Sequence, residues 1–493
     1  MIIESFFCVV CILTISLAIS FYYFLTWNFD FWKKRNVKGP EPVPFFGNYK
    51  DNIFGKIHST ELTKRFYDEF ANEKMVGIYV YGSPVLILRD LDLIRDVLIK
   101  DFAAFSDRGI RVHDRVEPLS QHFFNLPVST WRPLRKSLTP AFSCTRMKGM
   151  FELMAQVAEL FVSFLEQNTE REESLECCAL VAKFATEVIG ECGFGSKMGE
   201  FEDKVSEFRE VSKTRIKSNL WNFVRRNLRQ FWPSIYKYCS MFCNKKLLRY
   251  YVNMINSVNL TRSKEGIKRK DYVEILLHLK NNPEQIQNLE LSDSILAAQS
   301  YVFFTAGSDT TALIISNLFY ELAVNESIQD RLREEIQDQK LSYHGLKSME
   351  YLDKVWKETL RKYPLRNIQR ASNQIYTFSK TNVTIPANTQ IIIPNYAIHY
   401  DSQYYHEPEV FNPERFDGRG NFSHPMIYLP FGKGPRDCIG SQFAVHISKI
   451  LIVKVLENFK VEISSESLTR EENDPRQVLL SPKGGIRLKF KRL

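Results

Sequence analysis

Cysteine is scarce in this 493-residue chain: nine residues, an odd number, scattered as Cys8, Cys11, Cys144, Cys177, Cys178, Cys192, Cys239, Cys243 and Cys438. A chain this long needs no disulfide staples, so the pattern predicts a reducing compartment. Cys8 and Cys11 have zinc-like spacing, but they sit in an apolar segment with no second C-x-x-C pair, which argues against a zinc site. A dense Lys/Arg tract is also missing: the net charge of +9 is 66 basic against 57 acidic residues, spread along the chain. That disfavours nucleic acid and leaves open a basic face toward a membrane or an acidic protein. No G-x-G-x-x-G follows a strand pattern, which argues against a dinucleotide site on this chain. Repeats, low-complexity tracts and Ser/Gly-rich linkers are absent, which predicts one large domain. At 44% hydrophobic and 25% charged residues, the composition excludes disorder, collagen and a polytopic membrane protein.

What is present begins with an uncharged, apolar stretch over 5–27, long enough at about 1.5 Å per residue to cross a bilayer core. A cleaved secretory peptide is the alternative, and Ala18-x-Ser20 offers a cleavage site. The apolar run continues through Phe21-Tyr22-Tyr23-Phe24-Leu25, beyond a usual signal core, which favours a retained transmembrane anchor over 1–30. Glu4 precedes the span and Lys33, Lys34, Arg35 and Lys38 follow it, predicting a cytosolic body. The sequons at Asn259, Asn382 and Asn421 would then never meet the glycosylation machinery. Gly39-Pro40-Glu41-Pro42-Val43-Pro44 predicts a stiff linker within 31–48, ahead of a cytosolic domain over 49–493. A further stretch, 220–246, mixes Trp221, Phe223, Phe231, Trp232, Tyr236, Tyr238 and Phe242 with six basic residues. It reads equally as a lipid-interface segment or a helical hairpin with an aromatic core face.

The body is patterned mainly as helix, for example Leu153, Val157, Leu160, Phe161 and Phe164, with β-branched runs at 76–89 and 382–394. The fold class predicted is therefore mainly α with small β-sheets (α+β). Residues 292–325 form a helix of about 50 Å that is apolar nearly all round, hence central. Its middle is polar: Ala306-Gly307-Ser308-Asp309-Thr310-Thr311 reads as a functional groove or a structural kink. Gly307 leaves room for another body, and Thr310 can bond back to its own helix.

The stretch Pro430-Phe431-Gly432-Lys433-Gly434-Pro435-Arg436-Asp437-Cys438-Ile439-Gly440 is a constrained turn, and a helical pattern follows at once. Cys438 therefore lies at a helix amino terminus, where exposed amides and the dipole lower a thiol's pKa. No signature marks a partner histidine base, so a single thiolate that ligates a metal remains, as in haem proteins built for O–O cleavage.

These residues resemble the cytochrome P-450 family. Its cysteine-ligand signature is matched by Phe431, Gly434, Arg436, Cys438 and Gly440. Trp131-x-x-x-Arg135, Ala306-Gly307-x-Asp309-Thr310-Thr311, Glu358-x-x-Arg361 and Pro413-Glu414-Arg415-Phe416 follow the family's order. The resemblance covers essentially the whole chain and is nearest the insect microsomal, detoxification-type branch, through Asp107-Arg108-Gly109, Glu117-Pro118-Leu119-Ser120 and Leu360-Arg361-Lys362-Tyr363-Pro364. It implies the family's fold and haem b (iron protoporphyrin IX) with Cys438 as axial ligand. It also implies that Trp131, Arg135, Arg436 and Arg370 bind the propionates and that Ala306 and Phe431 flank the haem. Glu358, Arg361 and Arg415 form a bracing triad; read alone, Glu358 and Arg361 are equally a solvated helix pair.

By the same resemblance Thr310 holds oxygen and water while Asp309 relays protons, and one atom of O2 enters a lipophilic substrate. Electrons come from a membrane-bound NADPH–cytochrome P-450 reductase, with cytochrome b5 assisting, at the endoplasmic reticulum. The pocket is expected to be apolar, drawing on Phe303, Phe304 and residues after Arg108 and Pro364. The chain departs from its relatives in a shorter, more polar Leu365-Arg366-Asn367-Ile368-Gln369, an abbreviated 337–344, and Tyr400 after His399. A reductase-independent isomerase or dehydratase and a non-catalytic haem-binding membrane protein are the competing readings.

Overall fold

The apolar pattern of 292–325 is realised as one unbroken helix, Asp293–Val324, started by Ser292, whose hydroxyl accepts from the Ile295 amide at 3.4 Å. In the computed structural model, which describes residues 2–169, 174–202, 207–208, 211, 225, 228–229, 233–266, 269, 271–282, 284, 286, 291–419, 422–464, 467 and 472–493, this helix is the axis of the main core. Helices of ten or more residues are numbered α1 Ile2–Thr26, α2 Ser59–Glu69, α3 Val128–Leu138, α4 Cys144–Thr169, α5 Cys177–Ile189, α6 Lys245–Glu265, α7 Tyr272–Asn281, α8 Asp293–Val324, α9 Glu326–Gln337, α10 Glu350–Lys362 and α11 Ser441–Asn458. By length and apolarity α8 also passes as a membrane span, but most of it is buried inside the protein. Its neighbours α5 and α6 cover it on one side and α11 approaches on another.

The strands are β1 Met75–Val80, β2 Ser83–Leu88, β3 Leu175–Glu176, β4 Ile368–Ala371, β5 Tyr376–Phe378, β6 Val383–Ile385, β7 Gln390–Ile393, β8 Phe459–Ile463 and β9 Arg487–Arg492. Among the described residues they form three small sheets, in the orders β1-β2-β7-β4, β3-β9-β8 and β5-β6. The β-branched run at 76–89 becomes the β1/β2 hairpin (Val76 opposite Ile87), and the run at 382–394 supplies β6 and β7. β7 joins β2 in parallel (Leu86 with Ile391) and β4 antiparallel, which sets Arg370 opposite Ile391. The fold is thus mainly α with small sheets, as the pattern predicts.

Helix starts follow local chemistry. The Glu176 carboxylate takes the amides of Cys178 and Ala179 at 3.1 and 2.6 Å to open α5. α10 has Glu350 and Asp353 in its first turn and Arg361 and Lys362 in its last, matching the helix dipole, and it stops ahead of Pro364. The apolar stripe of α4 holds except at Leu160, which is exposed and faces away from the core.

The side chains of α1 that are described lie on the surface, Leu17 and Phe24 among them. Beyond it the chain is clamped to the body: Trp32 is buried and its indole donates to the Ile78 carbonyl at 2.9 Å, while Val43 bridges Gly47. In the 220–246 stretch, Trp221, Phe223, Arg226, Phe231 and Trp232 lie outside the described residues, as does the sequon at Asn421. Of the rest, Tyr236 and Phe242 stack in a small core at 5.7 Å, whereas Tyr238 and Met241 are exposed.

Candidate active site

The loop before α11 is held by its own backbone. The Cys438 amide donates to the Phe431 carbonyl at 3.0 Å and the Asp437 amide to Gly434 at 3.0 Å. Gly434 has φ +80°, and a Cβ there would stand 2.0 Å from the Leu98 carbonyl oxygen, so only glycine fits. Cys438 lies two residues before Gly440, the cap of α11, whose amide bonds to the sulfur. That placement is as the turn pattern predicts; the expected acidity is not. Burial pushes the Cys438 thiol up, outweighing the Gly440 amide and the Arg135 charge. The thiol therefore gives up its proton on binding a metal rather than beforehand.

Although protein encloses it so fully, Cys438 keeps an open surface. Ala306 does too, halfway along α8 between buried Phe304 and Ser308. The two helices converge here: Phe303 lies 6.5 Å from Phe443 and 5.9 Å from Phe142, whose ring reaches within 3.8 Å of the Gly440 β-position. A cysteine and an alanine that keep open surface on two converging segments suit the two sides of a gap for a flat, largely apolar group.

The polar end of that gap is supplied by arginines. Arg436 is buried, with Nε donating to the Ser106 carbonyl at 2.9 Å and Nη2 to Leu126 at 2.9 Å, while Nη1 has no partner. Its guanidinium lies 3.9 Å from the centre of the Trp131 ring. Arg370 donates through Nη1 to the Gln369 carbonyl at 2.8 Å and leaves a buried Nε unpartnered. Burial lowers both, Arg436 to about 9 and Arg370 to about 10. Orphaned, desolvated guanidinium donors are costly unless an anion meets them, and haem carries two carboxylates. The residues present therefore fit haem. Arg135 is brought to the same loop but is engaged with Asp437, donating to its carbonyl at 2.8 Å and its carboxylate at 2.7 Å.

Behind the loop, Glu358 and Arg361 are fully buried and doubly bonded (Nη2 to Oε1 2.8 Å, Nε to Oε2 2.9 Å), with Arg415 Nε 3.3 Å from Oε1. The solvated-pair reading is excluded by this burial. Arg361 also donates to the carbonyls of His399 (3.1 Å) and Pro408 (2.7 Å). His399 is held neutral, pushed down to about 3 by burial and by Arg361: Nδ1–H donates to the Arg361 carbonyl at 3.1 Å and Nε2 accepts the Leu429 amide at 3.0 Å. Phe431 stacks on Trp356 at 5.8 Å and so ties the loop to α10.

On α8 the polar interruption does not break the helix. Thr310 donates to the Ala306 carbonyl at 2.5 Å, and Ser308 reaches both the Phe304 carbonyl at 2.8 Å and Asp309 Oδ1 at 3.5 Å. The body that Gly307 admits is Ile189 of α5, which a Cβ would meet at 2.5 Å, so this glycine serves helix packing. Phe303 and Phe304 are also spent on packing: Phe303 stacks on Tyr272 at 4.1 Å, and buried Phe304 on Phe194 at 4.8 Å. Beside α8 lies a cavity of about 180 Å³ with a mixed lining, polar at Glu117, His122, Asn125 and Arg229 and apolar or aromatic at Leu119, Phe242, Leu247 and Tyr301. Sequence reading quoted Asp107 without giving it a role; its carboxylate accepts the Val128 amide at 2.7 Å to start α3 and lies 3.5 Å from Arg436. Its role was not legible from spacing, because 21 residues separate it from Val128; the local signal was only that the N-cap position of α3 is Pro127, which supplies no capping side chain.

Residues 37–490 match the family profile "Cytochrome P450". The chain is 37% identical over 485 residues to "Cytochrome P450 6B1" of Papilio polyxenes, covering 94% of this chain and 96% of that protein. It is 35% identical to "Cytochrome P450 6B2" of Helicoverpa armigera (96% of each) and 33% identical to "Probable cytochrome P450 6a13" of Drosophila melanogaster (98% of each). Fold and site together define a haem-thiolate oxidoreductase. The chain belongs to the cytochrome P450 family, in company with insect members. It is a haem monooxygenase that uses O2, an organic substrate and a redox partner, with its haem on an axial cysteine thiolate.

Proposed function

We propose that Cys438 is the axial ligand and that the enzyme oxygenates lipophilic small molecules, such as xenobiotics, plant toxins, hormones or fatty acids. The observation that carries this reading is the enclosed yet open surface of Cys438, with the Gly440 amide on its sulfur and the unpartnered donors of Arg370 and Arg436 nearby. Bound haem supplies reductive activation of O2 and transfer of one oxygen atom. The Gly440 amide moderates electron donation from the sulfur. Arg370, Arg436 and Trp131 would hold the propionates, Arg135 would add its positive charge while tied to the loop at Asp437, and Ala306 and Phe431 would line the haem site. Glu358, Arg361 and Arg415 keep the segment behind Cys438 from moving. Thr310 donates to the Ala306 carbonyl, so its lone pairs are turned to accept from water, and Asp309 passes protons inward from solvent.

Electrons arrive from NADPH through NADPH–cytochrome P450 reductase, with cytochrome b5 assisting. Exposed Lys433, Arg132 and Lys136 support docking of an acidic partner; the last two border an open groove of about 900 Å³. Residues 1–30 anchor the protein in the endoplasmic reticulum membrane, 31–48 link, and 49–493 form the catalytic domain on the cytosolic face. The apolar, exposed α1 and the basic residues after it support this orientation.

The test is a reduced, carbon monoxide-bound difference spectrum of protein expressed with hemin, followed by NADPH-dependent product formation with reductase present. The thiolate-type spectrum is expected in the parent protein and its loss in Cys438→Ala. A colourless parent, or a spectrum unaltered by Cys438→Ala, refutes the ligand. Product made without NADPH and reductase refutes the monooxygenase route in favour of an isomerase.

A further inference from the structure

More positive charge faces the gap than haem uses. Besides Arg370 and Arg436, Arg108 donates through Nη2 to the Arg436 carbonyl at 3.0 Å and through Nη1 to the Phe124 carbonyl at 3.1 Å. Its guanidinium covers the Phe124 ring at 3.6 Å, and Arg366 approaches the same ring at 5.3 Å. Arg366 stands in the short stretch between Pro364 and β4. Its one hydrogen bond among the described residues is a long contact with Gln369 Oε1 at 3.4 Å. Among the described residues no carboxylate pairs with Arg366 or Arg108, and Asp107 is the only acid beside Arg436.

Iron(III), the porphyrin dianion and a thiolate sum to zero charge, so haem brings only its two propionates. Arg108, Arg135, Arg366, Arg370 and Arg436 carry five positive charges, and Asp107 and Asp437 offset two, leaving three against the two propionates. One guanidinium remains without an anion. Arg366 has the fewest partners, and burial alone pulls its acidity toward the neutral form. A desolvated guanidinium with an aromatic face beside it and no counterion is a costly arrangement for the empty protein, and the cost is offset when a ligand brings the anion. The shared ring, Phe124, continues toward α8: it is 6.4 Å from His122, which is 6.3 Å from Tyr301. His122 and Tyr301 line the cavity beside the central helix together with Leu119, Phe242, Leu247 and Leu248, so an apolar chain that leaves the cluster along these rings meets apolar and aromatic neighbours there.

We infer that the cluster of Arg108, Phe124 and Arg366 receives the carboxylate of an amphipathic lipophilic acid, with Arg366 forming the ion pair. This rests on the haem-thiolate reading above, because Arg370 and Arg436 are assigned there to the propionates. The enzyme thus selects acidic over neutral lipophilic substrates of the same chain.

Binding to the ferric, haem-loaded protein is measured by displacement of the Soret band and by calorimetry, using dodecanoic acid, methyl dodecanoate and dodecylamine. The acid is expected to bind roughly 10- to 100-fold more tightly than the ester, the range of one charge-assisted contact, and the amine more weakly than either. Arg366→Met brings acid and ester to parity, and Arg366→Lys keeps part of the preference. Equal affinity for acid and ester in a parent protein with a thiolate-type carbon monoxide spectrum overturns this inference alone. So does an Arg366→Met variant that sheds haem while keeping the acid preference, since Arg366 then serves a propionate. Absence of that spectrum in the parent overturns the haem reading and this inference with it.

Discussion

Replacing Glu358 by Gln leaves the shape of the buried triad nearly intact and removes its only negative charge. Burial by itself lowers the Arg361 guanidinium, and the bonds from Glu358 more than reverse that. Without the carboxylate, two cations, Arg361 at 2.8 Å and Arg415 at 3.3 Å, face a neutral amide inside the protein. Breaking a buried pair from one side costs about 3–5 kcal/mol, a large share of the roughly 5–15 kcal/mol that holds a domain together. A matched control exists: Lys33 and Glu41 are 2.9 Å apart with side chains 68% and 78% exposed, so Glu41→Gln is expected to cost less than about 0.5 kcal/mol. Urea midpoints of the two variants, converted with the parent's slope, are the measurement. Comparable shifts in both would refute the reasoning, because distance alone and not burial would then set the effect. An apolar double replacement does not escape the cost, since the His399 and Pro408 carbonyls lose their donor with Arg361.

Three further outcomes are expected. The folded-state pKa of His399 is about 3 against an ordinary 6.5, so the unfolded chain takes up this proton first as pH falls. Its stabilising contribution is complete above pH 6.5 and is lost toward pH 3, about 2 kcal/mol of it by roughly pH 5; His399→Gln should flatten that slope in urea titrations at stepped pH. Thr310→Ala should keep NADPH consumption while product per NADPH falls and peroxide rises, and an unchanged ratio counts against Thr310 as the group that holds the proton-carrying water. Gly434→Ala should destabilise by about 2 kcal/mol or more, through a strained φ and collision with the Leu98 carbonyl, read as a lower thermal midpoint and weaker haem retention.

Much of this protein is written locally. The long run of 292–325 that is apolar nearly all round, the β-branched runs at 76–89 and 382–394, and the stop before Pro364 are properties of neighbouring residues, and they reappear as α8, β1 and β2, β6 and β7, and the end of α10. The Gly/Pro loop around Cys438 is legible for the same reason, because glycine at 434 and the turn geometry are decided within a few residues. What pairs across hundreds of residues is not legible. That Arg135 is taken by Asp437, that Asp107 both caps α3 and meets Arg436, and that Arg108 and Arg366 share Phe124 follow only once distant segments are packed together.

The acidity of Cys438 shows the division most clearly. Position near a helix start is a sequence property and argues for a stabilised anion, whereas desolvation is a property of everything folded around it, and at this site desolvation prevails. Phe303 and Phe304 make the same point for the pocket: aromatic character was evident from the residues, but whether each ring faced the gap or the core was settled by Tyr272 and Phe194 on neighbouring segments. Sequence by itself determined the elements and the chemistry available to this chain, because propensity and turn geometry act over a few residues. Tertiary structure alone decided which charges stand paired and which wait for a ligand, because electrostatic interactions depend on through-space distance and burial.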